Sequence, residues 1–257
     1  MVDKGDRRLA GKPGMTARRR GALRSGVLTR KEILRRLRRR VKKATSLVIT
    51  PRPKDEDFDR DSVDLRLGSY FFVPRAHRAP CFVPGLTSAR YLYSEQYVPL
   101  GSYLVLPAHH TVLGATREYL KLPSDVSGEI LTKSSWARTF ITIETAPWIH
   151  PLYRGCLTLE IANVSNTPVV IYPGVKIAQL ILIATTQDTA AGERDTLDGT
   201  YIGPVRPEPA SLETPQAALR SLGVEPAEMS YPFDEYMSHK ECRDHVISTF
   251  RDQGFQV

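Results

Sequence analysis

The chain has 257 residues, 41% hydrophobic and 25% charged, with a formal net charge of +8, the composition of a globular protein with one sizeable core. Its longest apolar runs, such as "PVVIYPG" and "AQLILIA", have strand length, so no membrane span is expected, and the basic first thirty residues lack the apolar stretch of a secretory signal. Cys81, Cys156 and Cys242 are odd in number and widely spaced, which suits reduced thiols in a cytoplasm better than a disulfide framework.

The charge is unevenly spread. Residues 1–43 hold 17 Lys/Arg against Asp3, Asp6 and Glu32, a balance of +14 that leaves −6 on the rest of the chain. Residues 1–27 are rich in Gly, Arg and Lys and read as a disordered tail. They could neutralise the phosphates of a nucleic acid. With no aromatic residue among the first forty, base stacking has no platform, and a solubilising tail is the preferred reading. Whether translation starts at Met1 or Met15 is left open. Thr29 then opens a helix, with Glu32 three residues on completing a capping box, and Ile33, Leu34, Leu37 and Val41 form an apolar stripe on a basic helix.

From "SLVITP" the period changes to that of strands. "VDLRLG", "YFFVP", "RYLYS", "SYLVLP", "HTVLGAT", "EYLKLP", "FITIET", "CLTLEIANV", "PVVIYPG" and "KIAQLILI" follow at roughly ten-residue intervals, the rhythm of an all-β sandwich or barrel. No long helical pattern interrupts residues 46–185, which argues against a doubly wound α/β fold. The polar arm "TTQDTAAGERDTLDGTYIGPVRPEPASLETP" comes next. Two short helices are expected to close the chain, one capped by Thr214 with Pro215 at its first position, the other from Ser238 to Phe250.

Several chemistries are excluded by their missing motifs. The chain has no G-x-x-x-x-G-K-[ST], no G-x-G-x-x-G and no G-x-S-x-G. "HKEC", His239 to Cys242, resembles the H-x-E of zinc deaminases, but no P-C-x-x-C accompanies it. Ser238 and Glu241 explain that stretch as a capping box. His109 and His110 are adjacent, so on a strand they face opposite sides, and they read as surface or turn residues.

The informative region lies between residues 129 and 181. "TKSSWAR" gathers Lys133, Ser134, Ser135 and Arg138 within six residues, two hydroxyls and two cations suited to phosphate oxygens. In "YRGCLTLEIANV", Leu157, Leu159 and Ile161 alternate with Thr158, Glu160 and Ala162. A carboxylate in the middle of such a strand is costly to bury without partners or a task. Taken singly, Ser-Ser reads as a turn, Arg138 as a surface residue and Glu160 as an edge-strand ion-pair partner; the combination points to a site.

The ordered succession "VDLRLG", "REYLKLPSDVSGEI", "TKSSWAR", "TAPWIHPLYRG", "LTLE" and "PGVKIAQL" resembles the deoxycytidine triphosphate (dCTP) deaminase branch of the trimeric dUTPase superfamily. The likeness runs over residues 28–205, between the basic tail at 1–27 and a C-terminal extension at 206–257 that has no counterpart. It implies an all-β core, a distorted β-barrel or jelly roll with an N-terminal helix, assembled as a homotrimer with active sites between subunits. It also implies deamination without zinc, with magnesium bound through the triphosphate. Glu160 matches the glutamate that takes a proton from the water attacking C4 of cytosine. Such chemistry needs a partly desolvated carboxylate able to cycle its proton. Ser134 and Arg138 match residues that orient water and stabilise charge, and the carbonyl of Ala146 would hold the water. Lys133, Ser135, Thr145, His150 and Gln179 fall at nucleotide-binding positions, and Tyr201 resembles the tyrosine that closes over the triphosphate.

The departures are specific. Lys133 replaces an arginine, keeping the charge and losing the bidentate fork, and Thr132 replaces a glycine. His150 stands where the family carries an aspartate, the base that activates water for phosphate attack in the pyrophosphatases. Conversion of dCTP to dUTP and ammonia is therefore the leading expectation. A dUTP pyrophosphatase or bifunctional enzyme is the first alternative, and a weakly catalytic nucleotide-binding regulator the second.

Overall fold

The computed structural model describes residues 25–38, 46–75, 92–186, 203–211 and 214–224, with Ser248 and Arg251. The basic tail, Val41, Cys81, Tyr201, the "HKEC" stretch and all of the second predicted C-terminal helix except Ser248 lie outside these residues. Among the described residues no helix is long and apolar enough to cross a membrane.

Two antiparallel sheets and a two-stranded ribbon build the core. In the first sheet, β13 (Lys176–Ala184) pairs along one edge with β8 (Val126–Thr132), which in turn pairs with β10 (Trp148–Ile149). Along its other edge it takes β3 (Ser62–Arg66) and then β1 (Gly26–Val27). In the second sheet, β7 (Thr111–Lys121) pairs with β11 (Arg154–Asn163), which carries β9 (Ile141–Ile143) on its far side. The other edge of β7 meets β2 (Val48–Thr50) and β4 (Tyr70–Pro74), with β5 (Tyr93–Tyr97) outermost. The ribbon joins β6 (Leu104–Leu106) to β12 (Val169–Ile171). The sheets do not close into a barrel; they pack in the manner of a jelly roll. Val63, Leu65, Leu180 and Leu182 of one meet Phe71, Leu120, Leu159 and Ile161 of the other in one buried cluster. Gly114 permits the closest approach: a Cβ there would stand 3.0 Å from Ile161 Cδ1 and 3.2 Å from Leu67 Cδ1.

Several expectations are corrected. "HTVLGAT" and "EYLKLP" are one strand, β7: its ladder with β11 passes from Ala115 to Tyr119 across an irregularity in which exposed Arg117 sits, and the strand runs on. The strand expected at "RYLYS" begins later, at Tyr93, and runs through "YSEQY" to pair with β4. β8 is masked in the sequence by its Gly128 and Glu129; Gly128 leaves room for Leu180 and Ile149 to pack over it. Helix α1 (Arg30–Leu37) starts at Thr29 as expected but has no side-chain cap there. Glu32 pairs instead with Arg35 and Arg36, ion pairs that outcompete a neutral amide for the carboxylate. The helix docks through fully buried Ile33 and a two-pronged bond from Arg36 to Asp125, 2.9 Å on each arm. His109 and His110 lie exposed, His109 at φ 59° in a turn. Helix α3 (Pro215–Ser221) is capped by Thr214, whose Oγ1 accepts from Ala217 N at 3.3 Å.

A charged network ties the strands together beneath the surface. Arg66 of β3 donates to both oxygens of fully buried Asp57 at 2.9 and 2.7 Å, and its amide donates to Glu118 Oε2 of β7 at 2.8 Å. Lys176 of β13 adds a bond to Asp57 at 2.8 Å. Burial pushes the Asp57 carboxyl up, but the bonds from Arg66, Lys176 and the Lys54 amide outweigh it and hold it well below the usual range. For Glu118 burial wins and its pKa is raised, despite the Arg66 amide. A raised native value makes the stability contribution of Glu118 fully present below its unfolded value near 4.5 and lost as pH climbs through the native one. Asp57, depressed, opposes this only as pH falls below its unfolded value near 3.8. Acidification from pH 7 towards 4.5 should therefore stabilise the fold through Glu118. Glu118→Gln should remove that gain while changing the melting temperature at pH 7 by no more than about 3 °C, as thermal unfolding at the two pH values would show.

Candidate active site

β11 alternates two faces. Leu159 and Ile161 point into the core, whereas Thr158 and Glu160, two residues apart, face outward opposite Ala115 and Leu113 of β7. A register irregularity between Cys156 and Thr158 re-aims the strand just before them. The β9–β10 connection lies alongside. Glu144 N donates to Glu160 O at 2.8 Å, Glu160 N donates to Thr145 Oγ1 at 3.0 Å, and Thr145 Oγ1 donates to Thr158 O at 3.4 Å. The Thr145 hydroxyl thus holds the β11 backbone on the N-terminal side of Glu160, and the Glu144 amide holds it on the other.

The segment 203–211 crosses this outward face. Gly203 N donates to Arg154 O and Cys156 N to Pro204 O, each at 2.7 Å, and Glu208 N donates to Thr158 Oγ1 at 3.1 Å. Gly155, at φ +143°, makes room for it: a Cβ there would meet Pro204 Cδ at 2.5 Å. Between strand, loop and segment lies a cavity of about 380 Å³, within the range of small-ligand sites, and Glu160, Thr158, Thr145, Ala146, Tyr153 and Glu208 are among its walls. Glu160 Oε2 is buried there with no hydrogen-bond partner among the described residues. Tyr153 donates from its phenol to Cys156 O at 2.9 Å, and burial raises its pKa. Burial, with the Glu118 charge nearby, pushes the free Cys156 thiol up to about 11. Neither group is a ready nucleophile, so Glu160 and Glu208 are the cavity's available carboxylates.

The residues singled out in the sequence fall into two groups. Glu160, Thr145 and Ala146 line the cavity. Lys133, Ser134, Ser135, Arg138 and Gln179 do not. Lys133 caps α2 (Ser134–Ala137) and donates to both oxygens of Asp64 at 2.7 and 2.8 Å. Gln179, opposite Asp64 in the β13–β3 register, donates to Ser62 Oγ at 3.1 Å. Ser134, Ser135 and Arg138 are exposed on α2. His150 is exposed at the end of β10, its carbonyl accepting from Tyr153 N at 3.3 Å, outside the cavity. Asp64, Arg66 and Glu118 belong to "VDLRLG" and "REYLKLP", and their ion pairs explain why those motifs carry charges. Glu208 had no signal, because a carboxylate in a proline-rich arm reads as solvated. Among the described residues no group of His, Cys, Asp and Glu is arranged to hold a metal ion.

A family model described as dCTP deaminase-like matches residues 27–185. A protein of Methanobrevibacter smithii named "dCTP deaminase, dUMP-forming" is 34% identical over 143 residues, 54% of this chain and 73% of its own length. A protein of the same name from Methanothermobacter thermautotrophicus is 33% identical over 175 residues, covering 65% and 87%. Among solved structures, the crystal structure of 2'-deoxycytidine 5'-triphosphate deaminase from Agrobacterium tumefaciens is similar at 25% identity and a TM-score of 0.49. That likeness covers 62% of this chain, which spans about half of the other, 48%.

Proposed function

The chain belongs to the dCTP deaminase-like family, and from that premise we propose that it hydrolyses the exocyclic amine of dCTP, giving a uracil nucleotide and ammonia. The observation that carries the proposal is Glu160, which lines a cavity of small-ligand size and has one buried carboxylate oxygen with no hydrogen-bond partner among the described residues. In the proposed reaction Glu160 removes a proton from water as its oxygen bonds to C4. That proton is delivered to ring nitrogen N3, the remaining hydroxyl proton passes to the departing amine, the C4–N4 bond breaks, and ammonia leaves behind a C4 carbonyl and a protonated N3. The carbonyl of Ala146 holds the water, and the Thr145 hydroxyl keeps Glu160 in place.

Ser134 and Arg138, the charge-stabilising residues of this scheme, do not line the cavity of their own chain. A second copy would supply them, so the proposal includes a homotrimer with sites between subunits. Exposed Phe140, Trp148 and Val164 offer apolar surface for such contacts. Lys133, Ser135, Gln179 and Tyr201 would then meet the phosphates, Lys133 leaving Asp64 to do so. Magnesium, carried by the triphosphate, supplies neutralisation of phosphate charge. We place the reaction in the cytoplasm on the three widely spaced cysteines, of which Cys156 is a free buried thiol.

A second reading, release of pyrophosphate to leave dUMP, is favoured by the names of the relatives. Against it stands exposed His150 in place of an aspartate. Incubation with dCTP separates the readings. Ammonia with dUTP supports deamination alone, and ammonia with pyrophosphate and dUMP supports the second. Unchanged dCTP from folded, assembled protein contradicts both.

A further inference from the structure

The segment 203–211 lies beyond the matched family region, 27–185, yet it forms one side of the Glu160 cavity. Its sequence, "GPVRPEPAS", has Pro204, Pro207 and Pro209, which fix φ and make a stiff strap with little freedom to lose. The strap is anchored at three places. Pro204 and Pro207 are buried, Glu208 N is bonded to Thr158 Oγ1, and Arg206 reaches Glu95 at 2.9 Å and lies 4.5 Å over the Tyr70 ring. Arg206 is the strap's only cation, and it is turned away from Glu208. Glu208, held at Thr158 through its backbone amide, lines the cavity with Glu160, and its charge is felt at Tyr153, another wall residue. Thr158, which holds the Glu208 amide, and Glu160 are two residues apart on one strand face, about 7 Å, so both acidic residues stand on the wall of the same cavity.

Resting on the deaminase reading of this cavity, we propose that Glu208 is a specificity residue for the base, accepting a hydrogen bond from the exocyclic amino group of cytosine. An ionised carboxylate only accepts. Cytosine presents a donor at C4 and uracil an acceptor, so the same group that holds the substrate repels the product once ammonia has left. Glu160 moves the protons; Glu208 distinguishes amine from carbonyl.

The test compares wild type, Glu208→Gln and Glu208→Ala, each checked for fold by circular dichroism, in the KM for dCTP, kcat and the inhibition constant of added dUTP. A glutamine amide can donate to the uracil carbonyl. Glu208→Gln should therefore lower the ratio of the dUTP inhibition constant to the dCTP KM by about tenfold or more, with the larger part of the change in these constants rather than in kcat. Glu208→Ala should raise the KM for dCTP and, with the repulsion removed and no donor gained, tighten dUTP less than Glu208→Gln does. An unchanged ratio in both variants overturns the assignment. So does weakening of both nucleotides alike, which marks the strap as scaffold only. Wild-type protein that binds neither nucleotide overturns the deaminase reading and this assignment with it.

Discussion

Glu160→Gln is expected to lower ammonia release from dCTP by about 10²–10⁴-fold, the usual worth of a positioned acid–base group, while nucleotide binding is largely kept. Glutamine has nearly the same shape, so the bonds that fix this residue survive: Glu160 N to Thr145 Oγ1 and Glu144 N to Glu160 O are both backbone contacts of β11. What is lost is the ability to take a proton from water and return it. The buried Oε2 has no partner among the described residues, so the substitution breaks no ion pair and should not lower stability. A loss of turnover with unchanged melting temperature and near-normal dCTP affinity is the expected pattern. A variant that turns over within a few-fold of wild type would remove Glu160 from the chemistry.

Arg66→Ala is expected to have the largest effect on stability, about 3–5 kcal/mol, because it leaves buried charges uncompensated. Asp57 would lose its two-pronged partner and Glu118 its nearest cation, and both carboxylates are almost fully buried. At about 2–4 °C per kcal/mol for a chain of this size, the melting temperature should fall by roughly 10 °C. Arg66→Lys should recover part of the loss, keeping charge without the fork. A shift under about 2 °C for Arg66→Ala would mean that the network adds little. Arg66 joins β3 to β7, and Lys176 joins β13 to Asp57 and Asp64. The network therefore frames both Lys133, bonded to Asp64, and the strand under Glu160.

Much of this was legible in the sequence, for reasons that differ by residue. Glu160 stood out because period 2 is robust in a long strand, and β11 keeps it apart from the fluctuating turns. The alternation put it on the face opposite Leu159 and Ile161, where the structure has it. The strand content was legible too, but not its segmentation. Arg117 in the middle of β7 reads as the end of one strand, whereas on the sheet it lies exposed in a register irregularity that β7 runs through. The capping box at Thr29 failed because the competing partners of Glu32, Arg35 and Arg36, are helix neighbours whose charges a cap motif ignores. Long-range pairings were invisible one residue at a time. Nothing local announces that Asp64 will hold Lys133, 69 positions away, or that Glu208 will sit at Thr158, 50 positions away. Motif spacing gathers Glu160 and Arg138 into one imagined site; the cavity contains the first without the second, which is why assembly enters the proposal.

The most direct measurement is a crystal structure of the Glu160→Gln protein with dCTP bound. The cytosine should lie in the cavity between β11 and the strap, with C4 against position 160 and the amino group towards Glu208. The triphosphate should extend to Lys133, Ser135 and Gln179, contributed together with Ser134 and Arg138 by a neighbouring subunit. A base bound outside that cavity, or with C4 turned to His150, would contradict it.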